Sequence, residues 1–225
     1  MLEIGSWMEK FVARAQETFG DNLHFAGLQG SYGRGEATEE SDIDVVVILE
    51  RMALEELEQY GAMLADLEER EKVCGFFSDR GTLLSWDRAD LFQFYYDTIP
   101  VLGSLDYLRP LIRPEDVRRA ILTGACNLYH MGVHNVLHRG DGECVKGLYK
   151  GAGFVMQAVH FERTGDYVRQ KAALIGRLPP EEGALLEAAL GLRGREVGTG
   201  EVAALSGPLL DWAARLIARY GGSNA

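Results

Sequence analysis

Two acidic residues stand one residue apart at the entrance to a strongly apolar stretch. Residues 30–44 read GSYGRGEATEESDID, and the apolar run VVVIL follows directly. Neighbouring side chains of a strand point to opposite faces, so Asp42 and Asp44 would share one face while Ile43 turns into the core. Two carboxylates this close repel each other unless a cation lies between them. The pair therefore predicts a site for Mg²⁺, which binds one or two protein carboxylates and completes its shell with water and phosphates.

A glycine-rich turn precedes the acidic pair. Ser31 lies in this turn, directly after Gly30 and eleven positions before Asp42. Glycines allow positive φ angles and a close approach of the backbone to a ligand, and the exposed N–H groups of such a turn bind anions. Ser31 adds a hydroxyl donor, and Arg34 could supply positive charge to the same phosphates. Together, the turn and the acidic pair predict one site for a nucleoside triphosphate.

Each half of this pattern also has an ordinary structural interpretation. One aspartate could cap a turn while the other is solvated at the start of the strand. A loop with three glycines is common at protein surfaces, and this one lacks the Lys-Ser/Thr ending of a P-loop. The short distance in sequence between the two halves favours the combined site.

Short strands and helices alternate around these residues. LHFAGL (23–28) predicts a strand that leads into the turn, and DIDVVVIL (42–49) predicts the next strand. KVCGFF (72–77) predicts a third strand and TLLSW (82–86) a fourth, whereas LFQFYYD (91–97) fits either a strand or a helix. This alternation indicates a small mixed sheet with helices packed on it.

The second half of the chain has a different character, because no segment after Val117 has the pattern of a strand. Pro114 followed by two acidic residues is typical of a helix start. Apolar spacing predicts helices at about 115–139, 142–164, 166–177, 180–193 and 206–220. We therefore expect an α+β chain, with a mixed-sheet domain at 1–112 and an all-α helical bundle domain at 113–225.

Composition and charge restrict the classes of partner. The 225 residues include 34 acids and 23 bases, which gives a net charge of −11, and no Lys/Arg run exceeds a pair. Such a chain disfavours a nucleic-acid partner and tolerates or attracts a cationic small molecule. No apolar stretch approaches the roughly 20 residues that span a bilayer. The odd number of cysteines, three, fits a reducing compartment. We expect a cytoplasmic protein.

The segment GLQGSYGRGEATEESDIDVVVIL, at about residues 26–48, resembles the signature of the DNA polymerase β-like nucleotidyltransferase superfamily. The helical half, which includes RTGDYVRQKAALIGRLPPEE, is similar to the helical domain of kanamycin-type antibiotic nucleotidyltransferases. The resemblance implies attack of an acceptor hydroxyl on the α-phosphate of ATP or another NTP, with pyrophosphate leaving. It also implies that Gly30 and Ser31 hold the triphosphate and that Asp42 and Asp44 hold Mg²⁺, as two ions in a two-metal site.

The same resemblance predicts a third acid on a neighbouring strand, and the sequence does not identify this acid. KVCGFF carries Cys74 and Gly75 where an acid is expected. The remaining candidates are Asp79, Asp87, Asp90 and Asp97. Each has the sequence context of a capping or surface residue. A chain that binds nucleotide but catalyses poorly is therefore one alternative.

A separate cluster lies in the helical half, where Cys126, His130, His134 and His138 recur every fourth residue. Such steps keep side chains on nearly one face of a helix. Two imidazoles four residues apart can hold a transition metal, although the Glu of the zinc-peptidase motif is absent here. The alternative, which the pattern favours, is a helical stripe packed against its neighbours, with the histidines partly buried or lining the cleft between the domains.

From these observations we expect a Mg²⁺-dependent enzyme that transfers an NMP, with AMP from ATP as the first choice, to a hydroxyl of a small molecule. An aminoglycoside-like polycation is the first candidate acceptor, with the helical domain walling off its site. One alternative is a protein AMP-transferase of the toxin–antitoxin type. The other is a catalytically degenerate nucleotide-binding protein. A homodimer formed through the helical domain is compatible with the sequence.

Overall fold

The polypeptide folds into two compact units. A computed structural model describes residues 2–222, and the division between the units falls between Leu111 and Ile112. The sequence predicted this division one residue later, between 112 and 113. The assignment of separate catalytic and acceptor-binding roles to the two units stays a prediction.

A four-stranded mixed sheet forms the centre of the first unit. Its strands are β1 (Leu23–Leu28), β2 (Ile43–Leu49), β3 (Val73–Asp79) and β4 (Ile99–Leu102). Their order in space is β3-β2-β1-β4, with β1 antiparallel to β2 and β4 and with β3 parallel to β2. β2 is therefore an inner strand, and the acidic pair stands at its beginning.

The strand β2 is buried on both faces, which explains its unbroken apolar sequence. One face, with Val45 and Val47, packs into a core shared with α1 (Ile4–Phe19) and α3 (Leu54–Ala65). On the other face Val46 and Ile48 are also fully buried. β-branched side chains favour an extended backbone, and each one buried here contributes roughly 1.5–3 kcal/mol. The strand is thus a rigid support for Asp44.

The helix α1 is amphipathic. Its buried side chains include Trp7, Phe11 and Phe19, which recur at helical spacing. The rings of Trp7 and Phe11 stack with their centroids 5.3 Å apart. Nε1 of Trp7 donates to the carbonyl of Glu68 at 3.0 Å. This hydrogen bond ties the helix to the segment that follows α3.

Three further α-helices of the first unit are short. They are α2 (Gly30–Arg34), α4 (Arg80–Ser85) and α5 (Arg88–Asp97). The predicted strand at 82–86 was wrong, because Asp79 accepts a hydrogen bond from the N–H of Thr82 and so begins the helix α4. The segment 91–97, for which the sequence allowed either element, is helical. The fourth strand is β4, which the sequence did not indicate since it is short and contains Pro100.

The described residues of the second unit, 112–222, form helices joined by loops and contain no strand. Its helices are α6 (Pro114–His134), α7 (Gly142–Thr164), α8 (Lys171–Ile175), α9 (Pro180–Gly191) and α10 (Val202–Gly221). Their apolar sides form a core, to which Ile121, Met156 and Leu186 contribute fully buried side chains. α6 ends at His134 and continues as a π-helical turn, Asn135–Arg139.

The helix α8 is shorter than the predicted helix at 166–177. The buried side chain of Gln157 explains its late start, because Nε2 donates to the carbonyls of Val168 and Arg169, each at 2.9 Å. Carbonyls that accept from a side chain in this way do not act as acceptors for the backbone hydrogen bonds of a helix. The α+β fold class itself is confirmed: a mixed-sheet unit is followed by a helical one. Among the described helices, none combines the length and apolar character needed to cross a membrane.

Candidate active site

The glycine turn and the acidic pair meet in space at Gly30 and Asp44. Gly30 has a φ of +65°, and a Cβ atom built on it would lie 1.7 Å from Oδ2 of Asp44. The Asp44 carboxylate thus occupies the space that a side chain at position 30 would need. The N–H of Gln29 also donates to the carbonyl of Asp44 at 2.8 Å. Both contacts bring the two halves of the sequence motif into one site.

The turn is a short helix, α2, that directly follows β1. Its first bond runs from the N–H of Gly33 to the carbonyl of Gln29 at 3.0 Å, and beyond its C-terminal end the N–H of Glu36 donates to the carbonyl of Ser31 at 2.8 Å. The first N–H groups of a helix have no carbonyl partner within the helix. The backbone N–H groups of Gly30 and Ser31 are therefore placed to donate to an anion, with the half-buried Ser31 side chain beside them.

The two aspartates lie at the entrance to β2. Asp42 is exposed and immediately precedes the strand, whereas Asp44 is half-buried within it. Strand alternation directs their side chains to the face opposite Ile43, which is fully buried. Carboxylates that remain accessible to water fit Mg²⁺, since this ion takes one or two of them and fills its other positions with water and phosphate oxygens. The donor set therefore fits one such ion shared with a triphosphate.

Arg34 is turned into the interior of the first unit. Its side chain is 5% exposed. Nη1 donates to Oδ2 of Asp97 at 2.8 Å, and Nε donates to Oε2 of Glu36 at 3.3 Å. A guanidinium bound by two carboxylates has less charge to offer a phosphate. These contacts favour a role for Arg34 in anchoring the turn, rather than the contact with phosphate that the sequence predicted.

Cys74 occupies the strand position where the family resemblance predicts a third acid. Asp44 pairs with Cys74 in the parallel ladder of β2 and β3, so the two residues are direct neighbours in the sheet. Cys74 is exposed. The next residue, Gly75, has a φ of +130°, and a Cβ there would lie 1.9 Å from the carbonyl oxygen of Val45. Within this strand, therefore, a thiol rather than a carboxylate stands next to Asp44.

Two of the remaining candidates for the third acid are helix caps. Asp79 accepts hydrogen bonds from the N–H of Thr82 at 2.9 Å and from its hydroxyl at 2.8 Å. The backbone bond contributes most to holding the pKa of the Asp79 carboxyl below its usual value. Asp87 accepts from the N–H of Ala89 at 2.9 Å and caps α5. Both carboxylates thus have structural roles.

The other two candidates, Asp90 and Asp97, are both in α5. Asp90 is exposed in the first turn of that helix, and Asp97 is buried against Arg34. Across residues 2–222, no three or more His, Cys, Asp or Glu side chains are grouped closely enough to hold a metal ion. In the described part of the chain, none of the four candidates therefore forms such a group with Asp42 and Asp44.

The histidine cluster of the second unit lies on an exposed surface. His130, His134 and His138 are all exposed, as is Cys126. The rings of His134 and His138 have centroids 5.0 Å apart. The π-helical turn that begins at Asn135 changes the helical repeat, so the stripe does not continue with regular spacing. The partial burial of these histidines, one of the two arrangements that the pattern favoured, is not seen. Their position at the cleft between the domains and their metal binding stay predictions.

The sequence did not reveal the residues that anchor the Gly30–Ser31 turn to the segment 94–98. Nε2 of Gln29 donates to Oγ1 of Thr98 at 2.6 Å and to the carbonyl of Phe94 at 3.3 Å. Thr98 and Asp97 are 2% and 6% exposed. The contacts of Thr98 with Gln29 and of Asp97 with Arg34 join residues 69 and 63 positions apart. No local spacing could reveal them, because they depend on how α5 packs beside α2.

Comparison with protein families identifies part of the first unit. Residues 8–75 match the family described as "Nucleotidyltransferase domain". This segment contains β1, α2 and β2, and with them both halves of the candidate site. A search of curated proteins found no match to the chain.

Comparison with solved structures agrees with this match. The crystal structure of spectinomycin adenyltransferase AAD(9) from Enterococcus faecialis, with ATP and spectinomycin, has a TM-score of 0.53 and 14% identity to this chain. The match covers 91% of this chain and 98% of that one. At this identity the likeness establishes the fold. The predicted resemblance to DNA polymerase β-like nucleotidyltransferases is confirmed, and the domain match supports an enzyme of this class.

Proposed function

We propose that this protein transfers AMP from ATP to a hydroxyl group of a small molecule, with Mg²⁺ as cofactor. The observation that carries the proposal is the direct contact of Gly30 with the Asp44 carboxylate, inside the segment that matches a nucleotidyltransferase domain. A phosphate-binding turn and a metal-binding carboxylate must be immediate neighbours if one triphosphate is to contact both.

The roles of the residues follow from their donors and acceptors. The N–H groups of Gly30 and Ser31, with the Ser31 hydroxyl, donate to phosphate oxygens. Asp42 and Asp44 would hold Mg²⁺, which when bound neutralises phosphate charge and stabilises the leaving oxygen. The acceptor hydroxyl attacks the α-phosphorus, the bond to pyrophosphate breaks, and the hydroxyl proton passes to solvent water. The chain's own contribution is to hold the triphosphate in position for this attack.

Two observations guide the choice of acceptor. The structural neighbour AAD(9) was crystallised with ATP and spectinomycin. The net charge of −11 favours association with a polycation. Aminoglycosides and aminocyclitols, spectinomycin among them, are therefore the first acceptors to test.

The test is transfer of label from α-labelled ATP in the presence of Mg²⁺ and a panel of these acceptors. We expect one acceptor to become labelled while pyrophosphate is released. The double variant Asp42→Asn, Asp44→Asn should abolish transfer without unfolding the protein, since it relieves carboxylate repulsion. Asp90→Asn is the matched control, because it removes an exposed acid outside the site. Normal transfer by the double variant would contradict the proposed site.

The thiol beside Asp44 favours a second candidate, a protein that binds Mg-ATP but turns it over slowly. Cys74 cannot supply the carboxylate that the family resemblance predicts at a third position. Tight binding of Mg-ATP with no product from any acceptor would support this candidate. Label on a protein band in the same assay would instead indicate AMP transfer to protein, the other alternative derived from the sequence.

A further inference from the structure

The two ends of the phosphate-binding turn are attached to one short segment, residues 94–98. At the start of the turn, Gln29 donates to Oγ1 of Thr98 and to the carbonyl of Phe94, at 2.6 Å and 3.3 Å. At its end, Arg34 donates to Oδ2 of Asp97 at 2.8 Å. The segment comprises the C-terminal part of α5 and the residue that precedes β4. Gly30 and Ser31 lie between these two attachments.

The attachment through Arg34 is an ion pair closed off from water. The side chains of Arg34, Asp97 and Glu36 are 5%, 8% and 9% exposed. A buried ion pair adds little net stability compared with apolar side chains of similar size, because desolvation offsets most of the attraction. Its hydrogen bonds are directional, however, and the planar guanidinium fixes the direction of approach of each carboxylate. The pair therefore constrains geometry more than it adds stability.

We propose that Arg34 and Asp97 are positioning residues of the nucleotide site, which act by fixing the orientation of the Gly30–Ser31 turn against α5. The inference rests on the proposed function, since it assigns these residues to the binding of the triphosphate. The guanidinium of Arg34 binds the carboxylates of Asp97 and Glu36, so its role in this proposal is to hold the turn. It determines where the N–H groups of the turn point, and a displacement of such donors by a few tenths of an ångström weakens their bonds to a ligand.

The test compares an apolar replacement of the network with the wild-type protein. The triple variant Arg34→Met, Glu36→Gln, Asp97→Leu removes the charges together, so that no buried charge of this network is left without its partner. Its thermal midpoint should stay near the wild-type value. Binding of a non-hydrolysable ATP analogue with Mg²⁺, measured by calorimetry, should weaken about tenfold or more. Amide hydrogen exchange of the peptide that contains residues 29–35 should become faster, while peptides from α1 exchange as before.

A second variant separates positioning from general stability. Met63→Ala creates a cavity in the core between α3 and the sheet, on the side away from the face that carries Asp44. It should lower the thermal midpoint by several degrees and leave the affinity for the ATP analogue within about twofold of wild type.

The outcomes are distinguishable. If the triple variant binds the analogue as tightly as wild type, the positioning role is wrong while the proposed function stands. If Met63→Ala weakens binding as much as the triple variant does, the effect is one of stability and the positioning role is again wrong. If wild type itself does not bind the analogue, the proposed function fails. Even in that case, unchanged amide hydrogen exchange of the peptide 29–35 in the triple variant would contradict the anchoring of the turn by Arg34 and Asp97.

Discussion

Each unit of this protein contains a buried contact between an arginine and a carboxylate, and the two contacts join different kinds of structure. In the second unit, Arg163 of α7 binds Glu182 of α9 through two hydrogen bonds, of 2.7 Å and 2.8 Å, and Trp212 of α10 donates to the same carboxylate at 3.3 Å. In the first unit, Arg34 and Asp97 join a five-residue helix to the end of α5. One contact links three long helices, and the other holds a turn.

The difference indicates what each contact contributes. The helices α7, α9 and α10 also share a core of apolar side chains, so the Arg163–Glu182 pair adds to packing that already defines their arrangement. The turn at Gly30 is too short to be defined by its own helical bonds. Its orientation depends on contacts such as the Arg34–Asp97 pair. We therefore expect that disruption of the Arg34–Asp97 contact weakens ligand binding and that disruption of the Arg163–Glu182 contact lowers stability.

The largest effect on binding is expected from Gly30→Ala. The new Cβ would overlap the Asp44 carboxylate, and the φ of +65° is unfavourable for any residue with a side chain. Affinity for Mg²⁺ and a non-hydrolysable ATP analogue should fall by about 100-fold or more, as measured by calorimetry. The matched control is Gly61→Ala in α3, where a Cβ meets no atom within 4 Å. It should keep full affinity and slightly raise stability. Unimpaired binding by Gly30→Ala would contradict the site.

The corresponding change in the second unit is Glu182→Gln. It leaves the Arg163 guanidinium without its carboxylate in a largely buried position, and Arg163 retains some contact with water at 28% exposure. We expect a loss of about 2–4 kcal/mol in the unfolding free energy of the helical unit, measured by urea denaturation. Affinity for the ATP analogue should change less than twofold. A large loss of affinity would show that the contrast between the two networks does not hold.

Cys74→Asp tests whether the thiol beside Asp44 limits turnover. The variant would place a third carboxylate next to the acidic pair, where it could hold a metal ion or accept the proton of the acceptor hydroxyl. We expect AMP transfer to rise by about tenfold under saturating Mg²⁺. Cys126→Asp, which adds the same charge at an exposed helical position, should have no effect. Equal or lower activity of Cys74→Asp would indicate that the missing acid does not limit the reaction.

The smallest expected effect is a pH dependence confined to the helical unit. Burial is the main cause of a lowered pKa at His160 in α7, which is 6% exposed. A histidine with a lowered pKa in the folded state is protonated more readily in the unfolded chain. The contribution of His160 to the unfolding free energy is therefore complete above the ordinary pKa near 6.5. This contribution is lost as the pH falls below that value toward the pKa of the folded state.

Thermal unfolding of the helical unit between pH 7.5 and 5 should show this loss, and His160→Gln should reduce it. The sheet unit serves as the internal comparison. A midpoint for the helical unit that falls no faster than that of the sheet unit over this range would contradict the assignment to His160.

The sequence predicted the parts of the site that depend on local pattern. The run from Ile43 to Leu49 forms the strand β2 because β-branched residues follow one another, and the resemblance carried by residues 26–48 named both halves of the candidate site. The segment TLLSW was misinterpreted because its apolar residues suit a strand, whereas the cap at Asp79 starts a helix. The partner of Arg34 could not be predicted, since Asp97 approaches it only after α5 has packed.

The reactivity of the exposed Cys74 thiol could report whether the proposed site is occupied. Because Cys74 lies beside Asp44 and next to a residue without a side chain, a maleimide could reach it at the rim of the proposed site. In a Cys126→Ser background, bound Mg-ATP should slow this labelling, since the ligand would cover the sulfur. Occupancy of the site could then be followed in a mass spectrometer without knowledge of the acceptor.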